Sequence, residues 1–146
     1  MDQIDRNIIA ELRRDGRISN VELADRVGLT PAPCLRRVQR LQEEGVITGY
    51  TARVDPEAVG QGFEVLVNVD LALKDRHTVE AFEERITAFD EVVEVRRMFG
   101  LPDYFMRVAT ADLESYEVFV STRLVDVPGL AKIDSHLTMK TLKSPG

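Results

Sequence analysis

The chain has 146 residues, 44% apolar and 30% charged, with a net charge of −6, a globular composition sized for one ordinary domain or two small ones. No stretch reaches the roughly 18 apolar residues of a membrane span, so no membrane partner is expected, and the acidic start Met1-Asp2-Gln3-Ile4-Asp5 is unlike a secretory signal, which predicts a cytoplasmic protein. One cysteine, Cys34, and two histidines, His77 and His136, exclude an internal disulfide and argue against a structural metal site.

Residues 2–15 predict a helix, with Ile4, Ile8, Ile9 and Leu12 on one stripe and Asp15-Gly16 as its end. A second, short helix opens at Ser19, where Ser19-Asn20-Val21-Glu22 has capping-box spacing. Val21, Leu23, Ala24 and Val27 form its apolar side, and Gly28 stops it. A third helix follows at once, with Thr30 as N-cap, Pro31 at the first helical position and Pro33 in the first turn. Cys34, Val38 and Leu41 make its buried stripe and Gly45 ends it. Residues 46–54 predict extended chain turning near Gly49, a short hairpin. Helix, short helix, glycine turn, helix and hairpin make a winged helix-turn-helix over residues 1–54. Asp55-Pro56 to Gln61-Gly62 is a predicted linker, with a short helical turn around Glu57-Ala58-Val59.

From residue 63 the rhythm changes. Phe63, Val65, Val67, Val69 and Leu71 alternate with Glu64, Leu66, Asn68 and Asp70, which predicts a half-buried strand. Residues 78–88 fit a helix on Val79, Phe82 and Ile86; residues 91–99 and 104–110 fit strands around a Gly100-Leu101-Pro102-Asp103 turn. Residues 113–125 fit a helix on Leu113, Tyr116, Val120 and Leu124, and residues 130–142 a last strand with Ile133, Ser135, Leu137 and Met139 on one face. The order βαββαβ over residues 63–146 predicts a ferredoxin-like domain, so the whole chain is α+β. Two helices cover one sheet face, and Leu66 among polar neighbours on the other face predicts a second subunit against it.

The charge is uneven. Residues 1–53 carry nine Lys+Arg against eight Asp+Glu, while residues 54–146 carry ten against seventeen. At about 100° per residue, the inward stripe of the third helix leaves Ala32, Arg36, Gln39 and Glu43 pointing outward. Leu35 and Arg40 flank that face and Arg37 lies to the other side. Arginines neutralise phosphates and their planar forks match guanine edges. Thr30 and the first-turn N–H groups can hold a phosphate, and Leu35 can meet a thymine methyl. Thr30, Pro31, Ala32, Leu35, Arg36, Arg37, Gln39 and Arg40 are therefore the candidate contacts to double-stranded DNA.

Asp5-Arg6-Asn7-Ile8, Asp15-Gly16-Arg17-Ile18-Ser19, Glu22-Leu23, Arg26-Val27-Gly28-Leu29, Pro31, Pro33-Cys34-Leu35, Arg37-Val38, Gly45-Val46-Ile47 and Gly49-Tyr50 resemble the Lrp/AsnC family of feast/famine transcription regulators. Gly100, Asp103-Tyr104 and Pro128-Gly129 carry the resemblance to about residue 142. The resemblance implies a DNA-binding transcription regulator whose second half senses an amino-acid effector, with no other cofactor. It also implies homodimers that assemble into octamers, with effectors in clefts between neighbouring dimers. By position, the implied effector residues are Gly100, Asp103, Tyr104, Leu113, Val125, Leu137 and Thr138. A free amino acid is a zwitterion: Asp103 can hold its ammonium and N–H groups near Gly100 its carboxylate. The alternative is that Asp103 only caps its turn.

Two other functions compete. Sirohaem decarboxylases resemble this family and need basic and histidine residues around a tetrapyrrole; here His77 and His136 are scattered and the third helix keeps its outward arginines. A protein-docking winged helix would bind DNA poorly and with little salt dependence. Cys34 lies on the inward stripe and is expected to be a core residue.

Overall fold

Asp2 opens the first helix by accepting the Asp5 N–H, and Asp5 returns the bond to the Asp2 N–H, a full capping box for α1 (Gln3–Arg14). Ser19 caps α2 (Asn20–Val27) through the Glu22 N–H, but Glu22 does not reach back: its carboxylate pairs with Arg26 at 2.7 Å, so only half of the expected capping box forms. Gly28, at φ +76°, ends α2 in the left-handed conformation, and the Leu29 N–H closes on the Ala24 carbonyl. Ala24, Leu23, Ile8, Cys34 and Leu41 form the buried centre of this unit, while Val21, expected inside, is exposed.

In this computed structural model, which describes residues 1–145, the chain divides into two compact units with a boundary between Arg53 and Val54. The third helix, α3 (Pro31–Glu43), starts at Thr30, yet the Thr30 side chain makes no cap hydrogen bond. An N-cap oxygen accepts from the second or third helical N–H; the third residue here is Pro33, which has none, and the Cys34 N–H goes to the Thr30 carbonyl instead. The expected hairpin after α3 carries no strand over residues 46–54. The Val46 and Ile47 N–H groups both turn back to the Leu41 carbonyl, which removes the first donors a ladder would use.

The second unit holds β1 (Phe63–Leu71), α4 (Arg76–Thr87), β2 (Val92–Arg97), β3 (Tyr104–Thr110), α5 (Leu113–Thr122) and β4 (Leu130–Leu137). A 3-10 turn at Glu57–Val59 precedes β1, and a second at Leu124–Asp126 separates α5 from β4, so the helix expected over residues 113–125 is broken. The strands make one antiparallel sheet in the order β2-β3-β1-β4, the ferredoxin-like topology. Val65, Val67 and Val69 face Phe82 and Ile86 of α4 and Tyr116 and Phe119 of α5 in one core, with Phe82 and Tyr104 ring centroids 4.7 Å apart. Leu113 faces out and Phe119 takes the inward place assigned to it. The last strand stops at Leu137 rather than residue 142, and Met139 is fully exposed. Beyond the Val65–Leu137 pair little of β1 remains to pair with, and a groove separates Phe63 and Glu64 from the tail.

The other sheet face is uncovered within one chain. The register sets Leu66 beside Arg107 and His136, and Asn68 beside Phe105 and Asp134. Glu94 bridges toward Arg107 (3.3 Å) and Arg96 (2.5 Å) along the same surface.

Candidate nucleic-acid interface and effector site

The helix pair α2–α3 is locked at its start. The Asn20 side-chain amide donates to the Pro31 carbonyl at 2.8 Å, so the first residue of α2 holds the first residue of α3. On the outward side of α3, Thr30, Pro31, Ala32, Leu35, Arg36, Gln39 and Arg40 are all exposed, as the helical spacing predicts. Arg36 has no carboxylate partner among the described residues, which leaves its fork available. The first turn is a poorer phosphate cradle than expected: Pro31 and Pro33 have no N–H, so Ala32 supplies the donor that remains.

Arg37 and Arg40 depart most from the expectation of three free cations. The Arg37 Nη1 donates to Asp2 Oδ2 at 2.7 Å and Asp5 Oδ1 at 3.1 Å, and the Arg40 Nη2 donates to Asp5 Oδ2 at 2.5 Å. Asp5 is buried on α1. Burial pushes its carboxyl pKa up, but the Arg37 and Asp2 N–H bonds and the Arg40 charge outweigh that and hold it below 3.8. Two carboxylates and two guanidiniums cancel, so Arg36 alone carries uncompensated charge among the three. Asp5 and Asp2 went unassigned in the sequence because both pass as helix-capping acids; only packing shows one of them buried against α3. Burial likewise raises the Cys34 thiol pKa, which keeps this core residue protonated and unreactive.

In the second unit the implied effector residues fall into two groups. Gly100, in the left-handed conformation at φ +82°, and Asp103 and Tyr104 lie at the turn end of the sheet, and Val125 precedes the start of β4 at that same end. Leu137 and Thr138 lie at the other end, where Leu113 opens α5 after β3. Tyr104 pairs with Val69 and Leu137 with Val65, four residues apart on β1, or about 13 Å at ~3.3 Å per residue. One chain therefore does not bring the seven together.

The side chains of Asp103 and Tyr104 are already engaged. Asp103 accepts the Leu71 N–H at 2.9 Å and meets the Lys74 ammonium at 3.0 Å; the Leu71 N–H and Lys74 together hold its carboxyl below the usual range. The Tyr104 ring is buried and its hydroxyl donates to Glu83 Oε1 at 2.8 Å; burial and the Glu83 carboxylate push its pKa up to about 12. Glu83 in turn takes a two-pronged bond from Arg97 at 2.5 and 2.7 Å. Lys74 is the residue that sequence spacing missed, since its neighbour Asp103 is distant in the chain. A groove of about 480 Å³ includes Leu137 and Thr138 with Phe63 and Lys140. A second, of about 520 Å³, lies between Glu91, Thr110, Glu114 and Arg123. Neither includes Gly100, Asp103, Tyr104, Leu113 or Val125.

An arginine-bearing helix presented by a glycine-turn helix pair, joined to a separate α+β unit, defines a DNA-binding regulator with a ligand-binding domain. Comparison with known proteins agrees. A family described as winged helix-turn-helix DNA-binding matches residues 1–48, and the Lrp/AsnC ligand binding domain matches residues 64–146. The leucine-responsive regulatory protein of Escherichia coli K12 is 37% identical over 143 residues, covering 98% of this chain and 87% of that protein. A transcriptional regulator of Neisseria meningitidis, solved with L-Met, is 30% identical with a TM-score of 0.90 over 99% of this chain and 93% of that one. An AsnC family transcriptional regulator of Agrobacterium tumefaciens is 33% identical with a TM-score of 0.86 over 99% and 94%. The chain belongs to the Lrp/AsnC family. It is a sequence-specific DNA-binding transcription regulator with a ligand-binding C-terminal domain.

Proposed function

We propose that the protein is a cytoplasmic homodimer, assembling further to an octamer, that contacts operator DNA through Thr30, Pro31, Ala32, Leu35, Arg36, Gln39 and Arg40 and answers to a free amino acid with an apolar side chain. The observation that carries the DNA half is the outward face of α3, exposed at Thr30, Pro31, Ala32, Leu35, Arg36, Gln39 and Arg40, with Arg36 unpaired among the described residues. Arg37 belongs to the same surface through a guanidinium anchored on Asp2 and Asp5. Two such helices on a dimer match half-sites about 34–36 Å apart, or a multiple of that.

The effector class is supported by the L-Met found with the Neisseria regulator and by the leucine response named for the E. coli relative. The split of Gly100, Asp103 and Val125 from Leu113, Leu137 and Thr138 favours a site completed by a neighbouring copy. In that site the Lys74–Asp103 pair offers one charge of each sign to a zwitterion, Gly100 offers turn backbone, and Tyr104 shapes the turn from beneath. Ligand acts by favouring one assembly over another.

Fluorescence anisotropy on duplexes from upstream of the protein's own coding region tests this, run over a salt series with and without L-Leu or L-Met. Salt-steep binding that shifts with either amino acid supports the reading. Salt-steep binding that ignores both, and every other amino acid tried, removes the effector half. Absence of binding at low salt removes the DNA half.

A further inference from the structure

The α1–α3 contact has an unusual construction. A carboxylate that is 2% exposed sits behind the DNA-facing helix and takes bonds from two of its three arginines. Asp5 Oδ2 accepts both the Arg40 Nη2 and the Asp2 N–H; Asp5 Oδ1 accepts the Arg37 Nη1. Asp2 holds Arg37 from the outer side. Neither arginine is fully covered: the Arg37 side chain is 27% exposed and the Arg40 side chain 47%. Arg36, next to Arg37 in the chain, has no such anchor among the described residues.

We propose that Asp5 is the positioning residue of the DNA interface: from behind α3 it holds Arg37 and Arg40 with their remaining N–H edges toward the duplex backbone, and leaves Arg36 as the one arginine free to enter the groove. The proposal rests on α3 being the DNA-contacting helix. An arginine fork that is already oriented loses less rotamer freedom when it meets a phosphate than a free one does. Phosphate contacts set the register in which base contacts are read. A fixed Arg37–Arg40 pair therefore sets where Arg36, Gln39 and Leu35 fall along the groove. Asp5 touches no nucleic acid in this scheme; it acts through Arg40 and Arg37.

Simple charge counting predicts the opposite effect for removal of Asp5. Deleting an acid beside a DNA-binding surface, and releasing two cations, strengthens binding to every duplex. Positioning predicts a loss confined to the cognate sequence. The two are separated with a duplex that the wild-type protein selects from a random pool and a scrambled duplex of the same composition, measured over a salt series. Asp5→Asn keeps the shape of the side chain and removes its charge. The expected result is a loss of about tenfold in affinity for the selected duplex, the size of one misplaced specific contact, with no loss on the scrambled one. Arg40→Gln should lose a similar factor, and the double variant less than the product of the two, because one residue acts through the other.

Tighter binding of Asp5→Asn to both duplexes, or fully independent losses in the double variant, overturns the proposal. If Asp5→Asn does not fold by circular dichroism, side-chain nitrogen NMR of the wild-type protein decides instead. Arg37 and Arg40 must rotate slowly about their guanidinium bonds while Arg36 rotates freely, and equal mobility of the three overturns the proposal. Should the wild-type protein select no sequence, the reading of α3 fails first, and the NMR pattern shows whether the Asp5 anchor itself exists.

Discussion

The Asp103 carboxylate accepts the backbone N–H of Leu71 at 2.9 Å, so the turn between β2 and β3 is fastened to the end of β1 by a side chain. The reciprocal bond runs from the Asp103 N–H to Asp70 Oδ1 at 3.1 Å, and Lys74 lies on the free side of the same carboxylate. One residue thus supports the turn and supplies half of a charge pair beside it.

These two roles separate under substitution. Asparagine at position 103 keeps an acceptor for the Leu71 N–H and loses the charge that faces Lys74. Alanine loses both and strands a backbone donor. The melting temperature of Asp103→Ala is expected to fall well below that of Asp103→Asn. Both variants should lose the change in DNA binding that L-Leu or L-Met produces, read by anisotropy. A full response in Asp103→Asn would remove the charge pair from the effector site.

Arg36 and Arg37 are neighbours with different surroundings, and their alanine variants should behave differently. Arg36→Ala removes a cation that has no carboxylate partner among the described residues, so DNA affinity drops, the slope of log affinity against log salt falls by about one unit, and thermal stability stays near wild type. Arg37→Ala strips a bond from buried Asp5 and from Asp2, so its melting temperature falls as well. Equal melting temperatures for the two variants would contradict the ion-pair geometry.

Gly28 holds φ at +76° between α2 and α3, and a Cβ there would meet no atom within 4 Å. The cost of Gly28→Ala is therefore backbone strain alone, about 1–2 kcal/mol for a left-handed residue with a side chain. Chemical denaturation should report a loss of that size, with DNA binding weakened by no more than the population of unfolded protein explains. A much larger loss would point to a contact the turn makes with a partner.

Leu66 sits between Arg107 and His136 on the uncovered sheet face. Leu66→Arg adds a charge to that face while leaving the covered core untouched. Light scattering should then give a mass near the 16.4 kDa of one chain, against a multiple of it for the wild-type protein. An unchanged mass would place the subunit contact elsewhere.

Acid sensitivity follows from the carboxyls held below their ordinary values. Asp5 lies below 3.8 in the folded protein through its Arg37, Asp2 N–H and Arg40 partners, set against burial that pushes it up. A carboxyl depressed by folding stabilises the fold above its unfolded value and loses that contribution as pH falls through the folded value. Melting temperatures should hold at neutral pH and fall from about pH 4 downward as such groups protonate. Asp5→Asn should start lower at neutral pH and show a shallower acid decline, so the two curves converge. Parallel curves would mean that Asp5 carries no part of the effect.

Helical and strand periodicity made most of the architecture legible. Ile4, Ile8 and Leu12, the alternation from Phe63 to Leu71, and glycines at positions 28 and 100 each state a local preference that the fold obeys. The outward face of α3 was legible for the same reason, because helix geometry fixes which side faces away once Cys34, Val38 and Leu41 are known to face in. Places where the expectation failed are those where a local rule met a competing partner. Thr30 loses one of its two possible cap donors to Pro33, Glu22 prefers Arg26 to its own helix start, and the residues after Gly45 fold back on Leu41.

Spacing along the chain determined the two-part α+β order and the face that α3 turns to solvent, since both depend on contacts within a few residues. Tertiary structure alone decided that Arg37 and Arg40 are spoken for by an aspartate 32 and 35 residues away, and that Asp103 fastens Leu71 across the sheet. It also separated the implied effector residues to opposite ends of β1. A charged side chain is satisfied by whatever opposite charge or donor packing brings within about 3 Å, and sequence distance carries no information about which one that is.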